Sequence, residues 1–304
     1  DGYSYFHIRD SWKIDDDKLI DPAGIAVDTD GNVYVADQNT DQIHKFDSNG
    51  NFITSWGGYG SSSGRFNNPS GIAIDGNDDV YVVDSGNHRI QKFNSAGSFI
   101  ASWGRYGSNS GQFSYPSGIA LGPFGKVYVA DAGNGRIQKF NSAGSFMISW
   151  NTGKIGDGGL ADPSGIAIDT DGNVYVADQN TDQVHKLDSN GNYITSWGGK
   201  GSSHGRFNNP SGIAIDANDN VYVADSGNHR IQKFNSDGSF KISWGGYGSS
   251  KRLFSDPSGI AIGPYGEVYV ADSGNHRIQK FNSAGSFVTS WGGYGSSGGR
   301  FNNP

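Results

Sequence analysis

The sequence predicts an all-β protein, a six-bladed β-propeller of four-stranded blades built on 47-residue repeats, with a surplus N-terminal strand. Three observations predict it. A proline that opens an apolar run recurs every 47 residues, at Pro22, Pro69, Pro116, Pro163, Pro210, Pro257 and Pro304, so the chain reads as one repeat array. A tryptophan keeps the same step, at Trp56, Trp103, Trp150, Trp197, Trp244 and Trp291. Between them each unit holds four short runs rich in Val, Ile, Tyr and Phe, cut by Gly, Asn, Asp and Ser, and no run has helical periodicity. A four-stranded unit of this length cannot cover both of its faces alone, but units set radially cover each other. The expected blades are 22–68, 69–115, 116–162, 163–209, 210–256 and 257–303, with 1–21 as a strand and linker that closes or augments a blade.

Each element of the unit can be justified in order. The first run, as in Pro257-Ser258-Gly259-Ile260-Ala261-Ile262, starts on a proline that sets the backbone and then alternates small and β-branched residues. The second, Val268-Tyr269-Val270-Ala271-Asp272, is apolar up to its closing aspartate, as suits a strand covered by neighbouring units. The third, Asn275-His276-Arg277-Ile278-Gln279-Lys280-Phe281, mixes polar and apolar residues, and the fourth, Ser286-Phe287-Val288-Thr289-Ser290-Trp291, ends on the recurrent tryptophan. Regular spacing decides against disorder despite 48 glycines and only 34% apolar residues, because the glycines fall at turns and in the long loop after each tryptophan. A second level of repetition pairs blade 1 with blade 4, through Asp30 to Asp41 and Asp171 to Asp182. It also pairs blade 3 with blade 6, through the turns Gly122 to Gly125 and Gly263 to Gly266. The ring is thus expected to have a pseudo-two-fold axis, which argues against one unique asymmetric active site.

Gly64-Arg65-Phe66-Asn67-Asn68-Pro69-Ser70-Gly71-Ile72, followed by Tyr81-Val82-Val83-Asp84-Ser85-Gly86-Asn87-His88-Arg89-Ile90-Gln91-Lys92-Phe93, resembles the NHL repeat in all six units. The resemblance implies the propeller fold and leaves function wide, since such propellers serve as protein-binding, RNA-binding and sensor domains, with enzymes among their relatives. It also implies that the aspartate closing the second strand pairs with the following arginine: Asp84 with Arg89, Asp131 with Arg136, Asp225 with Arg230, and Asp272 with Arg277. Blades 1 and 4 carry Gln42 and Gln183 at the arginine position, so Asp37 and Asp178 lose that partner: a structural role is still the first reading for both, with candidate ligands or hydrated groups as the alternative.

The ends of the chain carry expectations of their own. It starts at Asp1 and contains one methionine, which reads as a processed product or a fragment, and no apolar run is long enough to cross a membrane. Tyr3, Tyr5, Phe6, Ile8 and Trp12 read as a seventh copy of the fourth strand. Three placements are open: it closes blade 6 and frees Phe287 to Trp291, it pairs on an outer edge of its own ring, or it augments another molecule. The first two are favoured.

Charge sorts by face. The tight turns between strands 1 and 2 and between 3 and 4 carry Asp28, Asp30, Asp47, Asp75, Asp78, Asp79, Asp169, Asp171, Asp188, Asp216, Asp219, Asp237 and Glu267, against Lys126. The long loops of the opposite face carry Arg65, Arg105, Lys154, Lys200, Arg206, Lys251, Arg252 and Arg300, together with Asp157, Asp162 and Asp256, so that face reads as mixed to basic. Such a disc could stack head to tail. The same loops repeat an aromatic at Tyr59, Tyr106, Tyr247 and Tyr294, with Lys200 in its place in blade 4. These residues suit sugar, peptide or subunit contacts, or packing over their own blade.

Apparent catalytic motifs do not survive their context. Gly60-Ser61-Ser62-Ser63-Gly64 matches a hydrolase string but lacks the strand-turn-helix setting that exposes a nucleophile. Asp28-Thr29-Asp30-Gly31-Asn32 resembles a calcium loop without the remaining ligands, so no cofactor is expected, with weak calcium bridging open at the acidic turns. His88, His229 and His276 share one repeat position, but their spread over blades 2, 5 and 6 argues against a zinc site, and no metal or catalytic residue is assigned. The absence of cysteine excludes thiolate chemistry and disulfides, and a net charge of −7 disfavours nucleic acid. The reading is a noncatalytic extracellular or cell-surface scaffold that binds a protein or glycan, including copies of itself, without membrane insertion. The alternative is a propeller lyase or lactonase with a divalent metal in the channel.

Overall fold

The computed structural model describes residues 19–151 and 159–293. Six four-stranded antiparallel sheets follow one another along the chain: β1–β4 (Pro22–Gly57), β5–β8 (Pro69–Trp103), β9–β12 (Ile119–Asn151), β13–β16 (Pro163–Gly198), β17–β20 (Pro210–Gly245) and β21–β24 (Pro257–Gly292). Within each sheet the strands pair in sequence order, and the second strand is buried along its length except at Lys126, which opens that of blade 3. That burial explains its Val-Tyr-Val-Ala-Asp composition, Val-Tyr-Val-Val-Asp in blade 2. Blade 6 is complete in itself: β24 (Phe287–Gly292) pairs with β23 (Arg277–Phe281) as its outermost strand. The expectation that an N-terminal strand displaces Phe287 to Trp291 is therefore corrected. Tyr3, Tyr5, Phe6, Ile8 and Trp12 lie outside the described residues.

The apolar cores are the seams between blades rather than the blades themselves. Tyr34, Ile43 and Phe66 of one side meet Ile72, Val80 and Phe93 of the next, with Trp56 against them. The ring-closing seam repeats the arrangement, with Leu19, Ile25 and Phe46 against Tyr269 and Ile278, flanked by Trp291. Among the described residues no strand is exchanged at closure, and blade 6 meets blade 1 through this apolar seam and a few side-chain hydrogen bonds.

Glycine sets the inner circumference. A Cβ on Gly24 would meet the Ser70 carbonyl at 2.0 Å, and the relation passes around the ring until Gly259 meets the Ala23 carbonyl at 2.3 Å. Only a residue without a side chain lets six inner strands converge this closely. Ser258 Oγ donates to the carbonyls of Pro22 and Ala23, both at 3.0 Å, and this joins the two ends.

Candidate functional site

The long loop entering each blade is organised by a buried polar set. Asp84, fully buried, accepts from Asn67 N at 2.8 Å, Arg89 Nε at 2.7 Å, Gln91 Nε2 at 3.0 Å and Asn87 Nδ2 at 3.0 Å. Arg89 then donates its remaining N–H groups to the carbonyls of Ser61, Ser62 and Arg65, and Gln91 clamps Gly64 N and the Arg65 carbonyl. The serines of the Gly60–Gly64 string are thus held by their backbone as a loop, not raised as nucleophiles. The same set recurs at Asp131 with Arg136, Asp225 with Arg230, and Asp272 with Arg277, each Nε to Oδ2 at 2.7 Å. The implied pairs are present, but the arginine does more than neutralise: it folds the loop between blades. Asn87 and Gln91 complete the set and escaped sequence reading.

Blades 1 and 4 solve the same problem without arginine. Asp37 accepts four backbone N–H groups, from Ile20, Asp21, Asn39 and Thr40, and Asp178 accepts those of Ala161, Asp162, Asn180 and Thr181. Both are fully buried and structural, and the alternative of candidate ligands or hydrated groups is set aside. His44 and His185 replace the glutamine there, each within 3.3 Å of a threonine hydroxyl. Burial holds His185 below the ordinary histidine range, against the opposing pull of Asp178.

The tight-turn face differs from its expected charge. Asp28 is consumed as a turn residue, accepting Asp30 N, Asn32 N, Asn32 Nδ2 and the Tyr34 hydroxyl, which leaves little of a calcium site. Burial, then the neighbouring Asp28, pushes the Tyr34 phenol well above its usual range, so it stays a donor. Lysines of the third strands reach these turns over the tyrosine rings. Lys45 lies 4.7 Å from the Tyr34 centroid and 3.8 Å from Asp28, Lys92 is 2.7 Å from Asp79, and Lys233 is 3.5 Å from Asp216. The count of thirteen acids against one base therefore overstates the charge, because long lysine stems carry their ammonium groups to this face.

On the opposite face the loops fold onto themselves, with backbone bridges from Tyr59 to Phe66, Tyr106 to Phe113, Lys200 to Phe207 and Tyr247 to Phe254. The phenylalanines are buried, while Tyr59, Tyr106 and Tyr247 are 57%, 69% and 75% exposed. Arg65 and Arg206 turn back to the carbonyls of Gly57 and Gly198 at 2.7 Å. His88 contacts Tyr106, and His229 contacts Tyr247, each at 4.9 Å between ring centroids. The three histidines of the repeated position sit in left-handed turns of separate blades, φ 54–56°. Tyr294 and Arg300 lie outside the described residues.

At the axis lies a cavity of about 270 Å³ lined by the Ser-Gly-Ile triplets of the inner strands, by Ala23 in the serine place of blade 1, and by Gln38 and Gln179 from opposite blades. Its polar groups are hydroxyls, amides and backbone atoms. Among the described residues no group of three His, Asp or Glu side chains gathers to hold a metal.

The NHL repeat model matches residues 19–46, 66–93, 113–140, 160–187, 207–234 and 254–281. The chain belongs to the NHL-repeat family. Each match runs from the end of the long loop to the end of the third strand, so it covers the loop-organising set itself. Solved structures share the fold at low identity. A virginiamycin B lyase from Staphylococcus aureus is 15% identical over 90% of this chain and 86% of its own, with a TM-score of 0.62. A Bacteroides thetaiotaomicron protein of unknown function gives 20%, 87%, 70% and 0.67, and a gluconolactonase from Xanthomonas campestris gives 12%, 84%, 84% and 0.63. No curated protein sequence matches. At these identities the neighbours of this NHL propeller speak for its fold alone.

Proposed function

We propose that this NHL propeller is a noncatalytic scaffold of the cell exterior, which presents its long-loop face to a protein or glycan and associates with copies of itself. The observation that supports the reading most is the cavity on the axis, whose serines, glycines, isoleucines and two glutamines supply no general acid or base and no metal ligand set. Chemistry at the axis needs groups that gain or lose protons or bind a metal, whereas exposed aromatics stand on the loops around it. A sequence rich in Gly, Ser and Asn supports the extracellular placement. A three-part assay tests the proposal: sedimentation velocity across a concentration series, glycan-array and pull-down binding, and turnover of lactone and depsipeptide substrates with and without divalent metal. The expected result is concentration-dependent association or a bound partner without turnover. Turnover that is lost in Gln38→Ala or Gln179→Ala would overturn it in favour of the lyase or lactonase reading.

A further inference from the structure

Two aromatic residues occupy a backbone conformation that the rest of the ring gives mainly to Asn, Asp and His. Among the described residues the left-handed non-glycine positions are of those three types except Tyr115 at φ 44°, Phe124 at φ 61° and Arg252. A bulky residue there is strained, and strain that persists points to use. Both rings are also out in solvent, Tyr115 at 62% and Phe124 at 96% exposure. They flank the same inner strand, β9 (Ile119–Gly122), Tyr115 at the long-loop face and Phe124 at the tight-turn face.

Tyr115 completes a cleft. The His88 ring lies 4.6 Å from Tyr115 at 80° and 4.9 Å from Tyr106 at 56°, and its Nδ1 accepts the Tyr115 N–H at 3.1 Å. Half a ring away the arrangement recurs with one change. His229 lies 4.9 Å from Tyr247, and its Nδ1 accepts the N–H of Asp256, which stands where Tyr115 does. The strand that follows, β21 (Pro257–Ile262), ends at a turn whose tip is Tyr265, 88% exposed, in the place of Phe124. The two changes match. The all-aromatic cleft shares its strand with a phenylalanine tip, and the cleft with a carboxylate shares its strand with a tip that carries a hydroxyl.

We propose that tips and clefts are the two halves of one head-to-tail contact between copies of this chain. Translation along the ring axis seats Phe124 on His88, Tyr106 and Tyr115 of the next ring, and Tyr265 on His229 and Tyr247, with its hydroxyl donating to Asp256. Two contacts on opposite sides of the ring fix the rotation, and because the surfaces differ the contact is heterologous and propagates as a stack. Each aromatic covers on the order of 200 Å², so the pair makes a small, reversible interface.

This inference rests on the self-association in the proposed function. The full chain is compared by sedimentation velocity and negative-stain microscopy with a tip variant, Phe124→Asn with Tyr265→Asn, and a cleft variant, Tyr106→Lys, Tyr115→Asn and Tyr247→Lys. Every substituted residue is one the chain already uses at that repeat position: Asn77 and Asn218, Asn68 and Asn209, and Lys200. The expected result is stacks of the unaltered chain, a dissociation constant at least tenfold weaker for each variant alone, melting temperatures not lowered, and recovery of dimers that do not grow when the variants are mixed. Variants that stack like the unaltered chain overturn the contact and leave self-association standing. Loss of glycan or peptide binding with unchanged stacking assigns the clefts to a foreign ligand and also overturns it. An unaltered chain that stays a single ring at every concentration removes the self-association reading and this contact with it.

Discussion

Replacing Gly50 by alanine tests how the ring is latched shut. Gly50 lies at φ +88° in the hairpin between β3 (Gln42–Phe46) and β4 (Phe52–Gly57) of blade 1, under the indole of Trp291 from blade 6. A new Cβ would stand 2.6 Å from Cδ2 and 2.8 Å from Cγ and Cε3. Carbon atoms rest about 3.5–4.0 Å apart, so the hairpin or the indole must move by about 1 Å. Two costs add: about 1–2 kcal/mol for a left-handed residue with a Cβ, and about 1–3 kcal/mol for overpacking. Gly266→Ala isolates the first, because its φ is +82° and nothing lies within 4 Å of the added carbon. Calorimetry should place Gly50→Ala below Gly266→Ala by about 1–3 kcal/mol, roughly 2–5 °C in melting temperature for a chain of this size. Gly97→Ala, under Trp56 at the same 2.6 Å, should lose as much as Gly50→Ala, since a closed ring has equivalent seams. Coincident melting of Gly50→Ala and Gly266→Ala would refute the latch, for the indole would then yield at no cost.

Three further outcomes are expected. Asp84→Ala leaves the Arg89 guanidinium and the Asn67 N–H without their shared acceptor, and urea denaturation should show a loss of about 3–5 kcal/mol; a loss under 1 kcal/mol would make the set ornamental. His185 is held neutral by burial in the fold, while in the unfolded chain it takes up a proton below pH about 6.5. Stability from this group is therefore present at neutral pH and falls as pH drops below the unfolded value. His185→Gln, the residue of blades 2, 3, 5 and 6, should flatten part of the stability slope between pH 7 and 5, and an unchanged slope would exclude His185 as its source. Deleting Asp1 to Trp12 should leave the melting temperature within about 2 °C, the scale of a ΔΔG below about 1 kcal/mol, because β24 already completes blade 6; a collapse of folding would place that segment inside the ring.

The propeller was legible because its period is covalent: Pro22 and its successors, Trp56 and its successors, and the Asp-Gly and Asn-Asp turns all keep a step of 47. What lay between blades was not legible in the same way. The indole of Trp56 lies edge-on to Tyr34 of its own unit and also crosses to Gly97 of the next, and a list of equal spacings does not say which neighbour a side chain crosses to. The lysines were missed for a different reason. At a half-buried place in the third strand Lys45 reads as a solvent residue, yet its stem lies over Tyr34 and its charge arrives at another element. The role of Gln91 did leave a trace within the single chain. Wherever arginine follows the second strand, glutamine stands two residues later, and where Gln42 or Gln183 replaces the arginine the later residue is His44 or His185. Paired replacement across repeats marks side chains that serve one hydrogen-bond set.

The repeats also act as an internal control on what folding demands. At the place of Tyr115 the chain elsewhere uses Asn68, Asn209 and Asp256, which tolerate a left-handed backbone, so a foldable residue was at hand. At the repeat position of Phe124 other blades use Asp30, Asn77, Asp171 and Asn218, none of them left-handed, so the strained conformation belongs to this turn alone. An exposed ring in such a conformation buries little apolar area and gains nothing from the core, so the fold gives no reason to prefer it. Stability would be served better by asparagine at both positions. The argument for a docking role is strongest where the ring departs from its own cheapest solution, and weakest at the buried aspartates, whose repetition is fully accounted for by the loops they hold.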